Sequence, residues 1–471
     1  MIRRLEWRRP MIVSGKTDRL MQVAMLLAMM LPVTGCPERD KPADAGTTSA
    51  ESASASRPPI PNFREPVDYL DWWRRGHFQP EWPAGEEVYA SLLFPADDVP
   101  FPTPSKAAAS QLRVAATRKW SVKELPDLAS YLDQIAPQID AFALAAEHEH
   151  VSWLTDPPGP SFWLALEVPG DASRLLSRAT LARGQMDAGG DGASRDTLKE
   201  AWRTLFRHAH HMEQMGASIP LILGLGTRVS AYESIRSVML SGDPDRTDLD
   251  GIHAILAEAP VIPSLADAFQ MEWAGLLDFL QQLYPAGRFS DDAATRMKQD
   301  DYLPPGGMFL ASPEVTARGF DEWYRPLIRM VDVPWSLSVF TEMRALESGR
   351  ASRAEANLIL SVYIPAHSRA YRLALTSETE RRATELLLAL SLARNETGSW
   401  PASLDACPGD IGAIRIDPLS GRDFVYAVRD GAVRLYSVGF DGKDDGGGKH
   451  DRRWSSRSGY DVVFCPNPDR S

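Results

Sequence analysis

Cysteine is scarce, with three in 471 residues, which excludes a small scaffold built on disulfides. Basic charge is short as well. Fifty-one Lys and Arg face 63 Asp and Glu, a formal net charge of -12, whereas a nucleic-acid protein needs a basic face against phosphate. The same balance keeps a folded body off anionic lipid. Catalytic signatures are missing: there is no G-x-S-x-G, S-x-x-K, Walker loop or dinucleotide fingerprint. A Ser–His–Asp triad dispersed through a fold would leave no such mark, so enzymatic activity stays an open alternative.

What is present is enough apolar residue for real cores, 44% of the chain, at a length that suits two or three domains. The N-terminus reads as an address. Arg3, Arg4, Arg8, Arg9, Lys16 and Arg19 precede an apolar run from Leu20 to Leu31, interrupted by Gln22. That run is too short for the ~20 residues of a membrane-spanning helix. Val33-Thr34-Gly35-Cys36 follows, and small residues after a charged leader and a short apolar stretch define an export signal. The cysteine directly after the small pair resembles a bacterial lipobox. The resemblance implies cleavage before Cys36 and diacylation of its thiol, the side chain able to make a stable thioether. A transmembrane anchor that happens to contain a cysteine is the competing explanation.

Residues 36–62 then form a polar Ser/Ala/Pro stretch that has too little apolar surface to fold. A tether of roughly 24 such residues reaches ~25–30 Å. The expected setting is the cell envelope, facing the periplasm, and Pro37 beside the cysteine favours the outer membrane.

From 63 to 375 the pattern predicts a helical body of antiparallel hairpins. Leu128, Tyr131, Leu132, Ile135, Ile139, Phe142 and Ala146 keep helical spacing, as do Leu198, Trp202, Leu205, Ala209 and Met212. Ser194 and Asp196 are capping candidates for the second stretch, and Gly216 is its stop. Further helices are predicted over Pro220–Met239, Asp248–Ala257, Leu265–Leu283 and Phe320–Met330. The pair at 173–187 and 195–215 loosely resembles a tetratricopeptide hairpin, without a 34-residue period.

His208, His210 and His211 invite a chemical interpretation. On a helix His208 and His211 lie about 60° apart while His210 points to the other flank, so three imidazoles cannot meet on one ion. Glu213 is also misplaced to complete a His208/His211 pair. His148-Glu149-His150 starts like a zincin motif, but its second histidine comes two residues on instead of four. Hydrogen-bonded histidines beside a core stripe are the expectation. Trp72 and Trp73 suit either a contact patch or packing.

From 376 the texture changes to one helix, Glu378–Asn395, and then to alternation in Phe424–Val428, Val433–Val438 and Tyr460–Phe464. The fold class expected is therefore mainly α, ending in a small α+β domain. Gly398-Ser399-Trp400-Pro401, Asp417-Pro418-Leu419-Ser420-Gly421, Tyr436-Ser437-Val438-Gly439-Phe440-Asp441-Gly442 and Gly459-Tyr460-Asp461 occur in this order. Together they resemble the periplasmic head of type II secretion major pseudopilins, over about one-fifth of the chain. With a lipobox ahead, the whole also looks like uncharacterised lipoproteins of planctomycete-type bacteria. The apolar leader lies far from the head-like part, which speaks against filament assembly.

The pseudopilin resemblance implies a Ca²⁺ loop, with the carbonyl of Val438 and Asp441 matching best. Asp444 and Asp445 are displaced, and Lys449-His450-Asp451-Arg452-Arg453 intrudes before Asp461. Independently of any family, Asp441, Asp444, Asp445, Asp451 and Asp461 interleaved with glycines suit an ion that takes about 6–8 oxygens. A solvated acidic turn explains the same residues. With Cys36 lipidated, Cys407 and Cys465 remain as an even pair. A bridge closing their ~60-residue loop would be worth ~4 kcal/mol in the chain-entropy account; two buried thiols are the alternative.

The function these features favour is a non-catalytic binding or scaffold lipoprotein, attached to a membrane and offering a surface to an unknown envelope partner. A periplasmic hydrolase using His208 or the aspartates, and an accessory of a secretion system, are the alternatives.

Overall fold

The computed structural model describes residues 63, 67–77, 82–84, 88–89, 92, 102–152, 170–189, 195–241, 244–288, 312–354, 367–429, 431–447 and 461–465. All of them fall in one compact unit, Pro58–Tyr363 with His367–Ser471. The signal segment, Cys36 and the tether lie outside the described residues. Among those described, no helix is long and apolar enough to cross a membrane.

The architecture is mainly helical with a three-stranded antiparallel sheet at the C-terminal end, as the sequence predicts. In chain order the helices are α1 Tyr69–His77, α2 Lys106–Ala115, α3 Pro126–Gln134, α4 Ala136–Ala146, α5 Gly170–Gly189, α6 Asp196–Gln214, α7 Ser218–Ser241, α8 Arg246–Glu258, α9 Leu265–Leu283, α10 Pro313–Val331, α11 Leu337–Ala354 and α12 His367–Thr397. The strands are β1 Val425–Arg429, β2 Ala432–Ser437 and β3 Val462–Cys465.

Local chemistry fixes most of these boundaries. Ser264 and Asp245 accept the backbone N–H groups of Ala266 and Asp248, at 3.1 and 2.8 Å, capping α9 and α8. Ser312, with Pro313 in the first turn, starts α10 seven residues ahead of the predicted Phe320. The continuous helix expected over 128–146 is broken at Ile135 (φ -101°, ψ 11°), because Pro137 sits at the start of α4 and a proline cannot continue the preceding ladder. Gly216 ends the α6 segment at φ +71°, a left-handed stop. Arg195 occupies the cap position of α6 without a side-chain cap bond and Asp196 lies in the first turn, while the other candidate, Ser194, lies outside the described residues.

Helix α7 is central, packed on α6, α12 and α5. Its approach to α6 depends on Gly224, where a Cβ would lie 2.6 Å from the Ala209 carbonyl oxygen and 2.7 Å from Glu213 Cγ. Helix α12 has 31 residues, so it is about 45 Å long, and it starts eleven residues before the predicted Glu378. Its middle is polar yet buried. Thr376, Thr379, Thr384 and Ser391 each donate to the carbonyl four residues back at 2.7–2.8 Å, which satisfies them inside the core.

The sheet has order β1-β2-β3, with Val425 opposite Tyr436, Val428 opposite Val433 and a register shift between Leu435 and Tyr436. Leu386, Leu387 and Leu390 of α12 share one apolar cluster with Phe424, Leu435 and Phe464, and that cluster continues to Trp202 and Tyr232 of the helical body. Arg236 of α7 reinforces the junction. It donates to Thr384 Oγ1 at 2.7 Å, pairs with Glu380 and lies 5.2 Å over the Phe464 ring.

Candidate functional site

Three groups of polar side chains stand out in this core. The first gathers on α6. His211 donates from Nε2 to the His148 carbonyl at 2.7 Å, which leaves Nδ1 to accept the Tyr89 hydroxyl at 2.5 Å. His208 bonds Ser173 Oγ through Nε2 at 2.7 Å, and its ring is fully buried against Tyr89 and Phe142. On the other flank His210 faces Gln214 and His150. Burial pushes His208 down to about 3, His210 to about 3 and His211 to about 4, so all three are neutral near pH 7. The sequence expectation of core histidines matches this arrangement. His208 meets a serine, but both side chains are enclosed, so a substrate has no route to them here.

Glu213 turns away from the histidines. It forms a two-pronged pair with Arg228, Oε1 to Nε and Oε2 to Nη2 both at 2.7 Å, with side-chain exposures of 0% and 1%. Arg228 also donates to the Pro260 carbonyl at 2.6 Å.

The second group lacks any sequence motif. Glu272 on α9 accepts the Ser218 N–H at 2.7 Å, His367 Nε2 at 3.0 Å and the Tyr324 hydroxyl at 3.3 Å, all in the interior. Trp323 Nε1 donates to His367 Nδ1 at 3.3 Å. An indole N–H can only donate, so Nδ1 accepts from Trp323 while Nε2 faces the Glu272 carboxylate. Burial works against the Glu272 charge, but the His367 hydrogen bond and the Ser218 N–H hold its carboxyl below the ordinary value. The signal for this site was a lone glutamate in the apolar run Met271–Leu277. Trp73 in α1 is likewise packing: it is buried and donates to the Asp267 carbonyl at 3.2 Å, and Trp72 stands edge-on to Trp273.

The third group is the acidic loop after β2. Asp461 is only 3% exposed. Its Oδ2 accepts the Gly447 N–H at 2.7 Å, while Oδ1 has no hydrogen-bond partner among the described residues. Burial raises its carboxyl, the Gly447 and Asp445 N–H groups act against that, and the Asp444 and Asp445 charges add to the rise, so three acids share one turn. Asp444 accepts the Tyr436 hydroxyl at 3.0 Å and the Gly446 N–H at 2.8 Å; Asp441 accepts the Lys443 N–H at 3.1 Å. The structure thus draws the displaced pair, Asp444 and Asp445, to Asp461. Val438 is half-buried at the end of β2, and Asp451 lies outside the described residues. Among the described residues no three His, Cys, Asp or Glu side chains converge as a ready metal cluster.

Asp417 holds the neighbouring turn. It accepts the Ser437 hydroxyl at 2.8 Å and the Leu419 N–H at 2.9 Å. The bridge expected between Cys407 and Cys465 is not formed: both are buried free thiols. Cys407 follows the Leu404–Ala406 turn with Sγ toward the Pro408 carbonyl at 3.8 Å, whereas Cys465 pairs with Leu435 inside the sheet.

No known protein family, curated protein or solved structure matches this chain.

Proposed function

We propose that this chain is a lipid-anchored envelope protein whose helical body binds or scaffolds a partner and whose terminal module is stabilised by Ca²⁺. One observation carries the metal: among the described residues, one carboxylate oxygen of the buried Asp461, crowded by Asp444 and Asp445, has no hydrogen-bond partner. A buried anion without a partner is costly, and a hard cation with a flexible preference for oxygen relieves that cost. Asp461, Asp444 and Asp445 would hold the ion, with Asp441 and the Val438 carbonyl as the further ligands that the pseudopilin resemblance implies. The anchor rests on Cys36 and its preceding small residues.

A melting scan tests the metal. Ca²⁺ at 1 mM should raise Tm relative to excess chelator by mass action, and Asp461→Asn should remove the difference. An unchanged Tm would sink the Ca²⁺ proposal. The anchor is tested separately: wild-type protein should fractionate with membranes and yield an acylated Cys36 peptide, and Cys36→Ala should release it.

A further inference from the structure

Two imidazoles outside the acidic loop point their lone pairs at a single atom. Gln214 Nε2 lies 2.9 Å from His210 Nε2 and 3.2 Å from His150 Nδ1. The Val151 N–H faces Gln214 Oε1 at 3.5 Å, which orients the amide with its NH₂ toward the rings. Both ring nitrogens are therefore acceptors, the state in which imidazole ligates metal. His210 and Gln214 are one helical turn apart on α6, with His210 Nδ1 buried and without a hydrogen-bond partner among the described residues. His150 is positioned from outside, stacked on Trp82 at 4.5 Å and 20°. The far nitrogen of His150, Nε2, has the Glu149 carboxylate 3.6 Å away. A carboxylate behind the ligating ring is the usual support of a metal-bound histidine.

We propose that His150 and His210 form a site for a borderline divalent cation of the Zn²⁺ type, which takes the place of the Gln214 amide nitrogen. The ring centres are 6.1 Å apart; two imidazoles on one tetrahedral ion with bonds of about 2.1 Å have theirs about 5–6 Å apart. Little movement is needed. Rotation of the Gln214 amide, a soft torsion, turns Oε1 toward the ion as a third donor, and water completes the shell. Imidazole nitrogen selects Zn²⁺, Cu²⁺ or Ni²⁺ over Ca²⁺ and Mg²⁺, so this site is chemically distinct from the acidic loop. The His150 side chain is 36% exposed, which gives an ion a way in. The nearby Arg228 charge is already matched by Glu213.

Calorimetric titration of the untagged full chain with ZnCl₂, in excess Ca²⁺ to occupy oxygen sites, reads this directly. One Zn²⁺ should bind with a Kd in the micromolar range. His150→Ala, at a partly exposed position, should weaken it at least about tenfold while leaving the fold intact by circular dichroism; His210→Ala should do the same. Gln214→His, which completes an i, i+4 imidazole pair on one helix face, should tighten binding at least about tenfold. Absence of binding up to 100 μM Zn²⁺, or binding that His150→Ala leaves unchanged, overturns the proposal.

Discussion

Glu213 and Arg228 face each other across α6 and α7 in a doubly hydrogen-bonded pair that no solvent reaches. Such a pair specifies an alignment more than it adds stability, because desolvation offsets most of the attraction. Removing one partner is a different matter. Glu213→Ala should cost about 3–5 kcal/mol in denaturant unfolding, since it strands a buried guanidinium. Replacing both residues with methionine should recover much of that loss. Equal losses in the single and double variants would show that packing, not charge, dominates here.

The α6 histidines should make the protein acid-sensitive. Their folded values of about 3, 3 and 4 lie below the ordinary 6.5, so between those limits the unfolded chain binds more protons. Stability is then complete above pH 6.5 and is lost as pH falls toward 4 and 3. Denaturation midpoints across that range should fall steadily, and His208→Phe should flatten the slope. A wild-type profile that is level from pH 7 to 4 would contradict the burial of these rings as neutral groups.

Asp278 should work in the opposite direction. Its Oδ1 and Oδ2 accept the N–H groups of Tyr69 and Leu70 at 3.1 and 3.0 Å, which caps α1 from α9. Burial nonetheless raises its carboxyl from 3.8 to about 6. Between those values the folded form retains a proton that the unfolded form has released, so this group's contribution to stability declines as pH rises. Asp278→Asn should therefore steepen the gain in stability from pH 4 to 6 relative to wild type. An unchanged slope would show that the carboxyl titrates normally.

Native-state alkylation should spare both thiols. Burial pushes Cys465 up to about 12 and raises Cys407 as well, and the thiolate is the reactive form. Iodoacetamide at pH 8 should label neither residue until denaturant is added, as read by peptide mass spectrometry. Rapid native labelling of Cys465 would place it outside the core.

Much of the fold was legible because it rests on local signals. Apolar spacing gave the α5–α6 hairpin and the bounds of α9, and alternation gave all three strands to within two residues. The breaks were harder. Pro137 reads as tolerable near a helix start, and only the structure shows that the start is its own. The N-terminal half of α12 was hidden because its buried hydroxyls look like a polar surface until each is seen bonded back to its own helix. The α6 histidines were foreseen as core residues from angular position alone. Glu272 with His367, and Asp278 with Tyr69, join residues 95 and 209 apart, a pairing that no local pattern encodes.

The 31-residue span of α12 has a mechanical consequence. Its N-terminal turns belong to the helical body and its C-terminal turns to the sheet, so the two are joined by a strut with no joint in it. Pulling on the terminal module would load the centre of the body directly. The two should therefore yield together, in one cooperative event, under force or heat.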